Sequence, residues 1–524
     1  MNIEIKQTFF RWLPWLIIAL GFVLRLDQYF FNRSLWLDEA YFAVNVIDRT
    51  FLELFEAPLD YSSHIMPPGF LVIAKLSITL FGNSDFILRL FPFICGVLSL
   101  GLFYQLAKLC ISARAVPVAL FFFAVSDYLI YYSSEFKQYS SDVMIVIALF
   151  LLAFNLRSHT LTYTKLFLFA IAGVGAVWFS HASVFILATI GIYLALPYLR
   201  NRQWQPLISL SVVYGVWLLN FAALYFLIIN VDTPTNQWLY HFWKEIYNAF
   251  MPLPFSAEGI QWLYDRFLLT MENPGSLDNV QVAGCVVIIG CITMLANRKG
   301  ILFLLTLPVL IALVVSFFEN YAFHTRLLLF LMPALYLIMA EGIVQLQVKL
   351  LAYPQTSIIT IAIQSILIVS LIDFPLHYRK VVQEIKPILK YIHENKKDKD
   401  TLYLYQRVEP AFRYYAKFYH FDYDDCHIIT PLPTNNEYTK GVDYFRSKQD
   451  LQPVNVNETQ CILGVFEFID GSRPELNKLR GRIWFIFSHI KRHHRNAFLK
   501  HLDTRGTRLD ENIQPGAFAY LYKL

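Results

Sequence analysis

Ser34-Leu35-Trp36-Leu37-Asp38-Glu39-Ala40-Tyr41 follows directly on an apolar run at 12–29, and that junction decides how the chain is read. The run is long enough to cross roughly 30 Å of hydrocarbon as a helix. Two adjacent carboxylates at its exit are costly at a bilayer boundary, and such groups tend to be kept for function. The junction predicts an integral membrane protein with an acidic site at the membrane surface. The apolar run has no small-residue cleavage site, so it is expected to stay as an anchor.

Composition extends the argument along the chain. Of 524 residues, 56% are hydrophobic and only 16% charged, and the mean hydropathy is +0.45. A soluble domain could not cover so much apolar surface. The net charge of +5 lies in short loops, so it reads as membrane topology and not as a nucleic-acid surface. Cys95, Cys110, Cys285 and Cys291 lie in or beside apolar runs. Cys426 and Cys461 sit in the polar tail, where a disulfide and two free thiols are equal alternatives.

Loop charge sets the orientation. Basic loops at 108–114, 157–165, 200–202 and 297–299, with Lys6 and Arg11 at the amino end, belong on the cytoplasmic side. Spans at 12–29, 85–108, 115–133, 141–157, 166–180, 182–198, 207–229, 280–296, 301–318, 325–345 and 355–373 satisfy that rule, which makes about eleven crossings. The apolar segment 67–82 is short and carries Lys75; as a further span it would reverse every later loop. It is therefore placed along the interface, inside a first external loop of 30–84. A second external segment, 230–279, is expected to hold another interfacial helix.

Residues 1–375 thus form a membrane module, and 376–524 an external domain. In the latter, 402–405, 462–468, 483–487 and 517–522 read as strands, and 378–393 and 411–420 as helices. The alternation predicts a small soluble α/β domain. The fold class expected is a polytopic α-helical membrane protein with interfacial helices and a C-terminal α/β domain. Its place is the cell inner (plasma) membrane, with the tail outside the cytoplasm.

This topology collects Asp38, Glu39, His64, Asp85, Arg89, Glu135, Lys137, Asp142, His181, Glu319, His324 and Arg326 at or near the external face. Each has a plainer structural reading. Asp38 could cap the helix beginning near Ala40. Arg89 could pair with Asp85 one turn away, and Arg326 could anchor the start of a span. The histidines could be hydrogen-bonded interfacial residues. No spacing demands a metal site: a divalent metal has no support in the sequence, and no cofactor is required.

Several stretches resemble one family. Ser34-Leu-Trp-Leu-Asp38-Glu39-Ala, then Pro67-Pro68-Gly-Phe, then Phe81-Gly82-Asn-Ser-Asp85-Phe-Ile-Leu-Arg89-Leu are similar to the start of the protein O-mannosyltransferase and aminoarabinose transferase family. Tyr131-Tyr-Ser-Ser-Glu135-Phe-Lys137-Gln-Tyr139-Ser resembles its second external loop, and Arg326-Leu-Leu-Leu-Phe-Leu-Met-Pro333 its late Arg-to-Pro motif. Arg482-Ile-Trp484-Phe-Ile-Phe-Ser488-His489 extends the likeness more loosely into the tail. Here Tyr41 and Met66 stand where related enzymes often carry basic residues, and Lys137 where they commonly have Arg.

The resemblance implies a GT-C glycosyltransferase that takes a sugar from a polyprenyl-phosphate carrier and passes it, with inversion, to a lipid, glycan or protein acceptor outside the cytoplasm. It implies Asp38 as general base with Glu39 beside it. Arg89, Lys137 and Arg326 would then face the leaving phosphate, with His64, Glu135, His181 and His324 as further substrate contacts. Membrane lipids are the remaining partner. The competing readings are a lipid or solute transporter or flippase, which would favour paired inverted halves that this sequence lacks, and a silent scaffold whose external domain binds partners.

Overall fold

The computed structural model describes residues 3–55, 59, 66–158, 161–229, 239–351, 379, 381–424, 426–428, 460–464, 476 and 479–524. Described residues within Met1–Phe31, Ile65–Val231 and Leu239–Arg379 form one compact unit, and those within Asn32–His64 and Lys380–Leu524 a second.

The first unit is helical. Among the described residues, eight helices are long and apolar enough to cross a membrane: Trp12–Phe31, Leu90–Cys110, Tyr139–Arg157, Ser183–Arg200, Trp204–Ile229, Val280–Asn297, Lys299–Phe317 and Thr325–Val348. Shorter apolar helices run over Pro68–Phe81, Val116–Val125 and Tyr163–Phe179. The expected span at 355–373 and the candidate His64 lie outside the described residues. The helix Ala257–Glu272 occupies the second long segment and buries Gly259, Trp262 and Met271.

Packing in this unit follows bilayer rules, where small residues let backbones approach. A Cβ on Gly290 would stand 2.1 Å from the Ile338 carbonyl, and one on Gly342 would stand 2.4 Å from that of Val286. The Val280–Asn297 and Met332–Leu351 helices therefore touch backbone to backbone. Phe103 stacks on Phe123 at 4.2 Å between centroids.

The expected single span at 115–133 is two helices, Val116–Val125 and Asp127–Tyr132. The break is at Ser126, whose ψ of 118° leaves the helical region. Its side chain accepts from the Leu129 N–H at 3.3 Å, so it caps the second helix. It also shares a 2.8 Å hydrogen bond with the Ser276 hydroxyl. The break orphans the last carbonyls of the first helix. Arg25, 1% exposed within the first span, fills that need. Its guanidinium donates to the Ala124 carbonyl at 2.9 Å, to Phe123 at 3.2 Å and to Gly21 in its own helix at 3.0 Å.

The second unit is α/β, as its sequence implies. Six strands lie in the order β2-β3-β1-β4-β6-β5, where β1 is Thr401–Tyr405, β2 Cys426–Ile428, β3 Cys461–Gly464, β4 Arg482–Ser488, β5 Thr507–Gln514 and β6 Ala517–Lys523. The first four are mutually parallel; β6 joins β4, and β5 joins β6, antiparallel. β4 is buried along almost its whole length, as central strands of parallel sheets are. Asp400, 1% exposed, holds it in place. That carboxylate accepts from Arg482 at 2.7 and 3.2 Å and from the Trp484 indole at 3.3 Å. Cys426 and Cys461 sit opposite each other on β2 and β3 and form a disulfide.

Candidate active site

In the second unit, Leu37–Asp48 is a helix whose first turn carries Asp38 and Glu39. Carboxylates favour that end of a helix dipole. Glu39 is fully buried, and its carboxylate accepts from the Trp36 N–H at 3.3 Å, one arm of a capping box. Glu39 thus fixes the start of the helix from which Asp38 projects, and Asp38 keeps partial exposure.

This segment is fastened to the C-terminal sheet domain. The Ser34 N–H and hydroxyl donate to Glu384 at 3.2 and 2.8 Å. The Leu35 N–H donates to the Tyr415 hydroxyl at 2.8 Å, and Arg413 pairs with Asp48 at 2.5 Å. The Trp36 and His489 rings lie 6.4 Å apart. Tyr41 feels Asp38, Arg407 and Glu409 together, and burial first, then Asp38, push its phenol well above the ordinary range. Burial and Arg407 hold the His489 imidazole below its usual value while Asp38 pulls it back up. Nothing in the sequence around Arg407 or His489 points to Asp38.

The first unit gathers most of the remaining candidates. Glu135 and Lys137, 0% and 3% exposed, lie in the turn joining Asp127–Tyr132 to Tyr139–Ser158. Hydroxyls tie the turn down: Ser133 donates to the Ile130 carbonyl at 2.6 Å, Ser134 to Tyr131 at 3.2 Å and Ser140 to Pro92 at 2.9 Å. Gly96 makes room for it, since a Cβ there would fall 2.5 Å from that of Ser133. Arg326 opens a 3₁₀ turn at Thr325–Leu331, with its guanidinium 5.9 Å from the centre of the Tyr139 ring. Tyr132 lies within electrostatic reach of both Glu135 and Arg326. Two motifs separated by some 190 residues of sequence therefore meet around one tyrosine.

Arg89, 2% exposed, sits where Asp85–Leu88 passes into Leu90–Cys110 and lies within electrostatic reach of Tyr29. Tyr29 donates to the Phe86 carbonyl at 2.7 Å and stacks on Phe93 at 4.5 Å, which pins that junction. Glu319 pairs with Lys244 at 2.8 Å at the surface. Asp142, 7% exposed, takes a hydrogen bond from Ser180. Among the described residues, no group of three or more His, Cys, Asp or Glu is arranged to hold a metal ion.

Burial pushes His181, between two membrane helices, down to about 4. Its Nε2 has no hydrogen-bond partner among the described residues. His324 is pushed to about 4 as well, by burial and then by Arg266 and Arg326. Its ring packs against Tyr247 at 4.9 Å and Trp243 at 5.8 Å, and Nδ1 lies 2.8 Å from the Thr325 hydroxyl. Both imidazoles are neutral at pH 7 and so offer hydrogen bonds and no charge. Unfolded, each would titrate near 6.5. Between that value and about 4 the unfolded chain binds protons that the folded chain refuses, so stability falls as pH drops through this window. Melting temperatures between pH 7.5 and 4.5 should show that fall, and His181→Asn with His324→Gln should flatten it.

Comparison with known proteins bears on the fold. Residues 66–226 match the family model described as dolichyl-phosphate-mannose-protein mannosyltransferase. ArnT from Cupriavidus metallidurans bound to undecaprenyl phosphate superposes with a TM-score of 0.54 at 12% identity, covering 97% of each chain. Its apo state gives 0.53 at the same identity and coverage. The archaeal oligosaccharyltransferase AglB from Archaeoglobus fulgidus, in complex with an inhibitory peptide and a dolichol-phosphate, gives 0.46 at 12% identity over 78% of this chain and 64% of its own. No curated protein sequence matches this one.

Proposed function

We propose, for a multi-pass membrane chain of the GT-C glycosyltransferase type that ArnT and the protein mannosyltransferases represent, that it moves a sugar from a polyprenyl-phosphate carrier to an acceptor hydroxyl outside the cytoplasm. The observation that carries this reading is the Asp38-Glu39 pair in the first turn of a capped helix, within a chain of this fold. Asp38 takes the proton of the acceptor hydroxyl as that oxygen attacks the anomeric carbon, and the carbon–oxygen bond to the carrier phosphate breaks with its electron pair. A single displacement of this kind inverts the anomeric centre. The departing phosphate gains charge where dielectric is low, and Arg89, Lys137 and Arg326 stabilise it. Arg89 and Lys137 are buried, where charge-assisted hydrogen bonds to a phosphate are stronger than in water. His64, Glu135, His181 and His324 are the further substrate contacts of this reading.

The disulfide supports the sidedness, since such bonds persist in oxidising compartments. Leu52, 79% exposed in the same unit as Asp38, offers a direct test. In intact cells, Leu52→Cys should react with a membrane-impermeant maleimide above the parent's background. Reaction only after lysis would put Asp38 on the cytoplasmic side and end the proposal. Proton NMR of the glycosylated product should show the anomer opposite to that of the donor.

A further inference from the structure

β1 and β4 are adjacent parallel strands, with Leu404 in register with Ile486. Their C-terminal ends therefore emerge side by side, and the crevice outside such ends is where open α/β sheets place their functional groups. Arg407 follows β1 in a 3₁₀ turn, and His489 follows β4 directly. The Ser488 hydroxyl donates to the Arg407 carbonyl at 3.2 Å and ties the two exits together. His489 holds a φ of +51°, in the left-handed region that a histidine adopts at a cost. That conformation is stabilised by its N–H, which donates to the Gly516 carbonyl at 3.4 Å, and by the neighbouring Trp36 ring. Trp36 is the N-cap residue of the Asp38 helix.

We infer that this end of the sheet belongs to the catalytic apparatus: Arg407 and His489 are positioning residues that hold and aim Asp38. The inference rests on the reading of Asp38 as the base. Among the described residues, Asp38 and Arg407 act together on Tyr41 and on His489, Glu409 at the start of the helix after Arg407 also acts on Tyr41, and Glu39 and Tyr41 share the helix of Asp38. Glu409 already accepts from the Tyr423 hydroxyl. Arg407 is the permanent cation of the set, and a cation of this kind favours the charged form of a nearby carboxylate.

The test uses the full-length protein with a polyprenyl-phosphate-linked sugar as donor. Arg407→Gln should lower turnover about tenfold, an effect of the size expected for a mispositioned base. It should leave the donor KM unchanged and move the acid limb of the pH–rate profile to higher pH, because the base loses its neighbouring cation. Arg407→Lys keeps the charge and should return the limb to the parent position. His489→Asn, which can keep the left-handed backbone, should lower turnover without moving the donor KM. The position of the limb does not depend on the fraction of folded protein, so an unmoved limb in Arg407→Gln overturns the inference. A loss as complete as that of Asp38→Asn also overturns it, by making Arg407 a reacting group. Normal turnover by Asp38→Asn would sink the underlying reading; an inactive Asp38→Asn with an unmoved limb in Arg407→Gln sinks this inference alone.

Discussion

Asp38→Asn should reduce sugar transfer by about 10²–10⁴-fold, the usual contribution of a positioned general base. The chain should still fold. Asp38 is partly exposed, and Asn keeps the volume and hydrogen-bonding reach that the first turn of the helix requires. Equal melting temperatures for parent and variant would separate the chemical loss from a folding loss. Glu39→Gln makes a useful contrast. Its carboxylate caps the helix through the Trp36 N–H, and an amide oxygen can accept the same bond. It should therefore lose much less activity than the neighbouring substitution. If the two variants were equally impaired, the division of labour between the carboxylates would be wrong.

Arg25→Ala should be the most damaging single change to the membrane unit. It would strand the Phe123 and Ala124 carbonyls, which the break at Ser126 has already cut off from helix partners. It would also empty the volume of a side chain that is 1% exposed. Each stranded buried carbonyl and the cavity add up to roughly 3–5 kcal/mol. Thermal unfolding in detergent should show a large fall in midpoint, with activity per folded molecule retained. Arg25→Lys should restore part of the loss, since an ammonium has donors but not the planar fork that spans several carbonyls. An unchanged midpoint for Arg25→Ala would mean that water or a rearranged turn satisfies those carbonyls instead.

The sequence made the architecture legible where the signal is local. Apolar runs of bilayer length announced the spans, and the Asp38-Glu39 junction announced an acidic helix start. Alternating apolar runs announced the central strands of the tail, of which β4 is the clearest. The break at Ser126 was hidden, because Val116–Tyr132 reads as one apolar stretch and the second partner of its hydroxyl, Ser276, lies 150 residues away. Arg25 was hidden as well: one cation near the end of a span looks like a snorkelling group until the orphaned carbonyls are in view.

β5 escaped because Thr507–Gln514 is a polar edge strand, and β2 because it has three residues. The site divides in the same way. The Glu135–Lys137 turn and Arg326 stood out as motifs, but their convergence on Tyr132 is tertiary. Most of what packs on the Asp38 segment comes from residues about 350 or more positions later in the chain. Sequence reading therefore placed the 30–84 loop wholly with the membrane module, whereas residues 32–55 of it group with the C-terminal sheet domain.

The most direct measurement is a transfer reaction with purified protein, a polyprenyl-phosphate-linked sugar and extracted cell-envelope acceptors. Glycosylated acceptor and free polyprenyl phosphate should accumulate in equal amounts with the parent chain, and both should form about 10²–10⁴-fold more slowly with Asp38→Asn. No covalent product from any such donor, together with passage of the same lipid across the bilayer of reconstituted vesicles, would contradict the account and identify a transporter.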